Sequence, residues 1–160
     1  MTIETSKYEG FYFIATKNRR LIVTKNLTPG KKFFNERLHK ENNIEYREVN
    51  PSHSKLFAAV IKRISIMPIN KGDKVLYLGA SHGYTPSYVS DIVGEKGLVF
   101  ALDFAPRVVR DLLFICEERQ NMIPLLADAN KPDTYKDRIT EVDVIYQDIA
   151  QKNQVEILFK

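Results

Sequence analysis

The sequence predicts an α/β fold: the first four strands of a Rossmann-like core over residues 51–160, preceded by a small β-rich N-terminal subdomain over residues 1–50. Three observations carry this. Residues 74–104 read as strand, glycine turn, helix, strand and acidic residue. Two later apolar runs end, like that one, on an aspartate, at Asp128 and Asp148. Before position 50 the pattern differs, with short β-prone runs separated by turn residues.

In chain order, Tyr8–Ile14 and Arg20–Thr24 flank Lys17-Asn18-Arg19, which predicts a hairpin. Thr28-Pro29-Gly30 is a turn signal. Lys31–Leu38 and Ile44–Val49 flank Asn42-Asn43, which predicts a second hairpin. The basic residues here, including Lys17, Arg19, Arg20, Lys25, Lys31 and Lys32, either face RNA or form an ordinary solvated surface. Pro51-Ser52 opens a helix expected to reach Ser65, with Phe57, Val60, Ile61 and Ile64 on its apolar stripe. Lys55 falls in its first turn, where a cation opposes the helix dipole. A plain surface lysine is the simple reading of that position.

Lys74–Leu78, bounded by Gly72 and Gly79, is short and apolar enough for a buried parallel strand. Gly79 and Gly83 permit a sharp turn and a close approach to a ligand. Thr85 or Ser87 can cap the next helix, Pro86 suits its first turn, and Gly94 ends it. Leu98–Leu102 is the second core strand, closed by Asp103. Pro106 begins a helix expected to reach about Gln120, burying Val108, Val109, Leu112, Leu113 and Cys116. Met122–Ala127 and Val142–Tyr146 are the third and fourth strands, joined by a polar helix or loop over residues 131–138. Asn153–Lys160 begins a further helix.

Composition bounds the function classes. At 160 residues and 44% hydrophobic the chain can bury one sizeable core. A net charge of +4 is compatible with RNA without specifying it. The single Cys116 supports no disulfide, which fits a reducing compartment. No apolar run approaches the roughly 18 residues of a membrane span, and the N-terminus lacks a signal-peptide core. A soluble, cytoplasmic protein is expected. His39, His53 and His82 have no ligand spacing, so no metal is implied.

Ligands of open α/β sheets lie beyond the carboxyl ends of the strands. The glycine turn, Asp103, Asp128 and Asp148 all fall there. One such acid is ordinarily a helix cap, and a solvated Asp103 after a plain βαβ unit fits the glycine pattern alone. Three acids around one turn are better explained by a shared ligand. From Gly79 to Asp103 is 24 residues, near the roughly 20 that separate a glycine turn from a ribose-binding acid. A carboxylate accepting two ribose hydroxyls gains roughly 1.5–3 kcal/mol from each. Gly79-x-x-x-Gly83 is not the dinucleotide spacing and no P-loop lysine is present, which disfavours NAD and ATP and favours S-adenosylmethionine. Asp128 then suits an adenine amino group, Phe104 the ring, and Asp148 the reacting methyl end.

The stretches Asn26-Leu27-Thr28-Pro29-Gly30, Asn35-Glu36-Arg37, Glu45-Tyr46-Arg47, Ser54-Lys55-Leu56, VLYLGA at 75–80, VSDIVG at 89–94, Pro106-Arg107-Val108-Val109-Arg110 and DIAQ at 148–151 cover nearly the whole chain. Together they resemble archaeal fibrillarin, the RNA 2'-O-methyltransferase of box C/D guide ribonucleoproteins. The resemblance implies an S-adenosylmethionine-dependent methyltransferase core, with cofactor residues at Tyr84, Thr85, Asp103, Phe104, Asp128, Ala129, Asp148, Ile149, Ala150 and Gln151. It implies a Nop-domain scaffold protein, a box C/D guide RNA with an rRNA or tRNA target, and a kink-turn-binding protein in the same particle. No membrane is implied, and the compartment is the cytoplasm of an archaeon.

Two positions depart from the resembled family, which usually has Ser-Gly-Thr-Thr at His82-Gly83-Tyr84-Thr85 and glutamate at Asp103. Tyr84 is expected to crowd the methionine end of the cofactor, and Asp103 to shorten the carboxylate's reach. The family also continues for several more strands and helices, one strand carrying a second active-site lysine. A sheet of four strands is expected to leave an unpaired edge and an uncovered apolar surface.

The implied reaction moves a methyl group from a sulfonium to a ribose 2'-hydroxyl, with Lys55 as base or orienting cation and Asp148 as orienting carboxylate. A lysine acting as base there must be desolvated. Guide RNA supplies much of the positioning. The alternative is a non-catalytic subunit that keeps the protein and RNA docking surface.

Overall fold

The computed structural model describes residues 2–17 and 19–160, so the tip of the first hairpin at Asn18 lies outside the described residues. The N-terminal strands are β1 (Ile3–Thr5), β2 (Tyr12–Ala15), β3 (Arg20–Lys25), β4 (Leu38–Glu41) and β5 (Ile44–Glu48). They form one antiparallel sheet in the order β1-β2-β3-β5-β4. Both expected hairpins are present. Asn42 and Asn43 both take positive φ, 49° and 64°, the backbone that a tight two-residue hairpin turn requires. Strand β1 was not expected.

The second hairpin's first strand is displaced. Residues 31–37 were expected to be extended, yet the strand begins only at Leu38. Glu36 turns its carboxylate back to accept the N–H groups of Phe33 and Phe34, and Asn35 sits at φ 57°. These side-chain bonds replace ladder bonds, so the segment closes into a loop.

A 3-10 turn at Pro51–His53 leads to α1 (Lys55–Ile61), capped by Ser54, whose hydroxyl accepts from Phe57 N–H at 3.4 Å. The helix stops four residues before Ser65. Arg63 takes φ 60°, its N–H donates to Val60, and Ile64 N–H donates to Ala59 at 3.0 Å. That is a Schellman stop on a non-glycine residue. Ile64 therefore leaves the stripe and is 39% exposed.

The core strands β6 (Lys74–Leu78), β7 (Leu98–Asp103), β8 (Met122–Leu126) and β9 (Val144–Gln147) are parallel, in the order β8-β7-β6-β9. Between them run α2 (Tyr84–Val93) and α3 (Pro106–Glu117), and α4 (Gln154–Leu158) follows β9. Helix α2 is capped by the backbone of Gly83, not by Thr85 or Ser87, and both of those are buried inside it. α3 is shorter than expected and buries Val109, Leu112 and Ile115. Val108 and Cys116 are half-buried and Leu113 is exposed. The buried stripe is thus narrower than the sequence pattern suggested. Burial pushes the Cys116 thiol up to about 12. Among the described residues β9 pairs only with β6, and Ile145 beside that free edge is 49% exposed. Among the described residues no helix is long and apolar enough to cross a membrane.

One hydrophobic core joins the two sheets. Phe11, Ile22 and Val49 of the N-terminal half pack with Phe57 of α1, Tyr88 and Ile92 of α2, and Val75 and Val99 of the parallel sheet. The sequence boundary at position 50 marks a change of sheet, not a break in packing.

Helix α2, buried almost all round, carries a charge into this joint. Asp91 accepts from Arg47 at 3.0 Å, Arg119 at 2.8 Å, the Thr24 hydroxyl at 2.8 Å and Leu27 N–H at 3.2 Å. Arg47 also donates to Glu36 at 2.8 Å and lies over the Tyr88 ring at 4.2 Å. Burial alone would raise the Glu36 carboxyl, but the Arg47 guanidinium and the Phe34 N–H outweigh it and hold it below the usual range. Sequence reading missed this network. Its signal was an aspartate in the last turn of an otherwise uncharged helix, Tyr84–Val93.

Candidate active site

The site forms where β6, β7 and β9 end side by side. β6 terminates at Gly79, with φ 89°. A Cβ there would lie 2.5 Å from the Asp148 carbonyl oxygen, so the neighbouring strand end as well as the turn demands glycine. Gly79 N–H and Ala80 N–H both donate to Leu102 O at 2.9 Å, and Asp148 N–H donates to Leu78 O at 2.8 Å. These bonds fix the three strand ends relative to one another. Gly83 is close-packed for another reason: a Cβ there would meet Leu112 and Ile115 of α3.

Between these ends lies a cavity of about 400 Å³. Its wall includes Asp103 and Phe104 after β7, Ala129 after β8, and Asp148, Ile149, Ala150 and Gln151 after β9. All seven were expected at such a site. Gly79, Ser81 and Leu102 complete the wall, and Ser81 had no signal in the sequence. Asp103 Oδ2 accepts Ser81 N–H at 2.9 Å and Oδ1 accepts Ala105 N–H at 3.1 Å. Each carboxylate oxygen retains a lone pair, so Asp103 can still accept two hydroxyls. Phe104 is 65% exposed at the rim. Below it, Asn130 donates to Gln151 at 2.7 Å and accepts from Asn153 at 3.0 Å, tying the loop after β8 to the loop after β9.

Three expected residues lie elsewhere. Tyr84 turns its side chain away from the cavity, against Phe34 and His53, and its hydroxyl accepts Asn50 N–H at 2.8 Å. The expected crowding of the cofactor by this ring therefore does not arise. Thr85 is buried and donates to the Ser54 hydroxyl at 3.0 Å. Asp128 does not line the cavity. Its Oδ1 accepts Asn130 N–H at 2.9 Å, which shapes the loop after β8.

Lys55 and Asp148 come together from opposite sides of the fold, and the lysine ammonium donates to Asp148 Oδ1. The Lys55 side chain is 79% exposed and that of Asp148 19%. Tyr77 and Tyr146 stack near Asp148 with ring centroids 4.8 Å apart. Burial, then the nearby Asp148 charge, pushes the Tyr146 phenol up to about 12, so it stays neutral at physiological pH.

This arrangement offers a polar but largely apolar-walled cleft, an anionic acceptor at one end and a paired cation and anion at the other. Asp103 keeps free lone pairs at the cavity wall, Phe104 presents an exposed ring at the rim, and Asp148, paired with Lys55, lines the same cavity.

A sequence model of the family described as Fibrillarin matches residues 2–160 of this chain. The fibrillarin-like rRNA/tRNA 2'-O-methyltransferase of Methanococcus maripaludis strain C5 is 55% identical over 139 residues, covering 87% of this chain and 60% of that protein. The chain thus spans about 60% of the length of such relatives. A crystal structure of Aeropyrum pernix fibrillarin with natively bound S-adenosyl-L-methionine superposes with a TM-score of 0.94 at 40% identity, covering 98% of this chain and 69% of that one. The fibrillarin of a crystallised fibrillarin/Nop5p complex superposes with a TM-score of 0.82 at 37% identity, covering 97% and 68%.

Proposed function

The chain belongs to the fibrillarin family, and on that premise we propose that its strand-end cavity holds S-adenosylmethionine for methyl transfer to ribose 2'-hydroxyls of rRNA or tRNA. One observation carries the reading. The Asp103 wall and the Lys55–Asp148 ion pair converge on one cleft at the carboxyl ends of β6, β7 and β9.

Asp103 holds the ribose hydroxyls, Phe104 covers the base, and Ala129 and Ile149 close the cavity against water. When bound, the cofactor supplies an electrophilic methyl group on a sulfonium. Asp148 accepts the acceptor hydroxyl's hydrogen bond and aligns its oxygen. Lys55 is mostly exposed and paired with a carboxylate, so its geometry supports an orienting cation more directly than a desolvated base. Tyr77 and Tyr146 remain neutral beside Asp148 and shield it from bulk water. Asp128 supports the adenine end by holding the loop that presents Ala129. Tyr84 and Thr85 support the site through the start of α2, not through contact in the cavity.

The protein works in a particle with a Nop-domain scaffold protein, a kink-turn-binding protein and a box C/D guide RNA, in the cytoplasm of an archaeon. The fibrillarin/Nop5p complex supports the scaffold partner, and the relatives' names support an rRNA or tRNA target and an archaeal source. Calorimetric titration of the folded chain with S-adenosylmethionine tests the cofactor, and methylation in a reconstituted guide particle tests the reaction. Saturable heat and methylated target RNA are expected. Cofactor binding and assembly without methylation, even with the family's remaining segment supplied separately, would leave a non-catalytic subunit.

A further inference from the structure

We propose that the groove walled by Phe34, Tyr84 and His53 stacks an unpaired base of the RNA strand that also reaches Lys55. The inference rests on the RNA substrate class given above but concerns a different surface from the strand-end cavity. The groove has a volume of about 330 Å³ and lies where the loop before β4, the 3-10 turn before α1 and the start of α2 meet.

Its aromatic wall is rigid. Tyr84 meets Phe34 edge-on with centroids 5.0 Å apart and His53 at 5.5 Å. The Tyr84 hydroxyl is held at both ends of the Asn50 peptide, accepting the N–H at 2.8 Å and donating to the carbonyl at 3.3 Å. The loop that carries Phe34 is pinned by the Glu36 carboxylate, itself bonded to the buried Arg47. His53 is exposed and Phe34 half-buried, so aromatic surface faces solvent without rearrangement. Fixed aromatic surface beside cations is what holds single-stranded bases.

The surrounding chemistry suits a nucleotide better than a peptide. Arg19 and Arg37 stand exposed at the groove and form no ion pair among the described residues. The two carboxylates nearby are already engaged, Glu36 by Arg47 and Glu48 by His39 at 3.0 Å. Asn35, exposed at φ 57°, offers an amide for a base edge. His53 precedes Lys55 by two residues, so their Cα atoms are at most about 7.6 Å apart. One strand can therefore occupy both places.

The test uses the whole chain at low salt with a short single-stranded RNA carrying 4-thiouridine. Irradiation followed by peptide mapping is expected to place adducts on Phe34, His53 or Tyr84. Phe34→Leu keeps the apolar packing but removes the ring, and Arg37→Gln removes a charge at an exposed position. Each is expected to weaken RNA binding by roughly fivefold or more, with the melting temperature unchanged. Adducts confined to other surfaces, or unchanged affinity in both variants, would overturn the proposal. So would intact RNA binding with lost binding of the scaffold protein, which would make the groove a protein interface. The same variants are titrated with S-adenosylmethionine. Failure of the wild type to bind the cofactor while the adducts persist would sink the methyl-transfer reading and leave the groove. Cofactor binding without the adducts would do the reverse.

Discussion

Replacing Asp91 by alanine should strongly destabilise the joint between the two sheets. The carboxylate accepts from Arg47, Arg119, Thr24 and Leu27, and its side chain and those of both arginines are 0% exposed. Removing one member of a buried ion pair costs about 3–5 kcal/mol, because the remaining charge is left uncompensated. Arg47 keeps Glu36, whereas Arg119 has no second carboxylate partner among the described residues, so Arg119 carries most of the penalty. For a chain of this size that is a fall in melting temperature of roughly 6–20 °C. Arg119→Met is expected to cost less. It leaves Asp91 with Arg47 and removes two buried nitrogens, Nε and Nη2, that have no hydrogen-bond partner. Urea unfolding followed by circular dichroism measures both. A loss below about 1 kcal/mol for Asp91→Ala, or a smaller loss than for Arg119→Met, would refute the reasoning.

Three further outcomes are expected. Asp103→Ala should weaken S-adenosylmethionine binding by tenfold or more, since each charged hydrogen bond is worth roughly 1.5–3 kcal/mol; calorimetry with Asp103→Asn as partner checks it. Lys55→Ala and Asp148→Ala should abolish methylation in the guide particle with assembly intact and a stability loss within about 1 kcal/mol, read by thermal melting. Glu36 has a lowered folded-state pKa, so its stabilisation is present above the ordinary carboxyl range of about 4.3 and is lost as pH falls through the lower folded value. Urea midpoints should therefore fall more steeply with acid in wild type than in Glu36→Gln, and parallel curves would contradict this.

The strand-end site was largely legible because strand ends and glycine turns are local patterns. Asp103, Ala129 and Asp148 follow apolar runs whose register is set by neighbouring residues, and the parallel sheet brings the ends together. The direction of the Tyr84 ring was not legible. It depends on Phe34 and Asn50, whose positions are set by a different sheet. The end of α1 misled for a related reason. Ile64 has the right spacing for the stripe, but nothing in an Arg63 side chain announces a left-handed backbone. The role of Asp91 was not legible either, because its partners lie far along the chain. The two arginines that bury it lie 44 and 28 residues away in sequence.

The strand order of the parallel sheet also makes the site depend on its edge strand. β6 lies between β7 and β9, yet β9 is made last of the four strands. Strands β6, β7 and β8 can dock on α2 and α3 while the side of β6 that receives β9 is still bare. Until β9 adds, Gly79 has no neighbour to accommodate, Asp148 is nowhere near Lys55, and the cleft has only one wall. Ligand binding at this site therefore requires β9 in place beside β6, and a chain in which β9 is detached would be silent to the ligand even with β6, β7 and β8 still packed on α2 and α3.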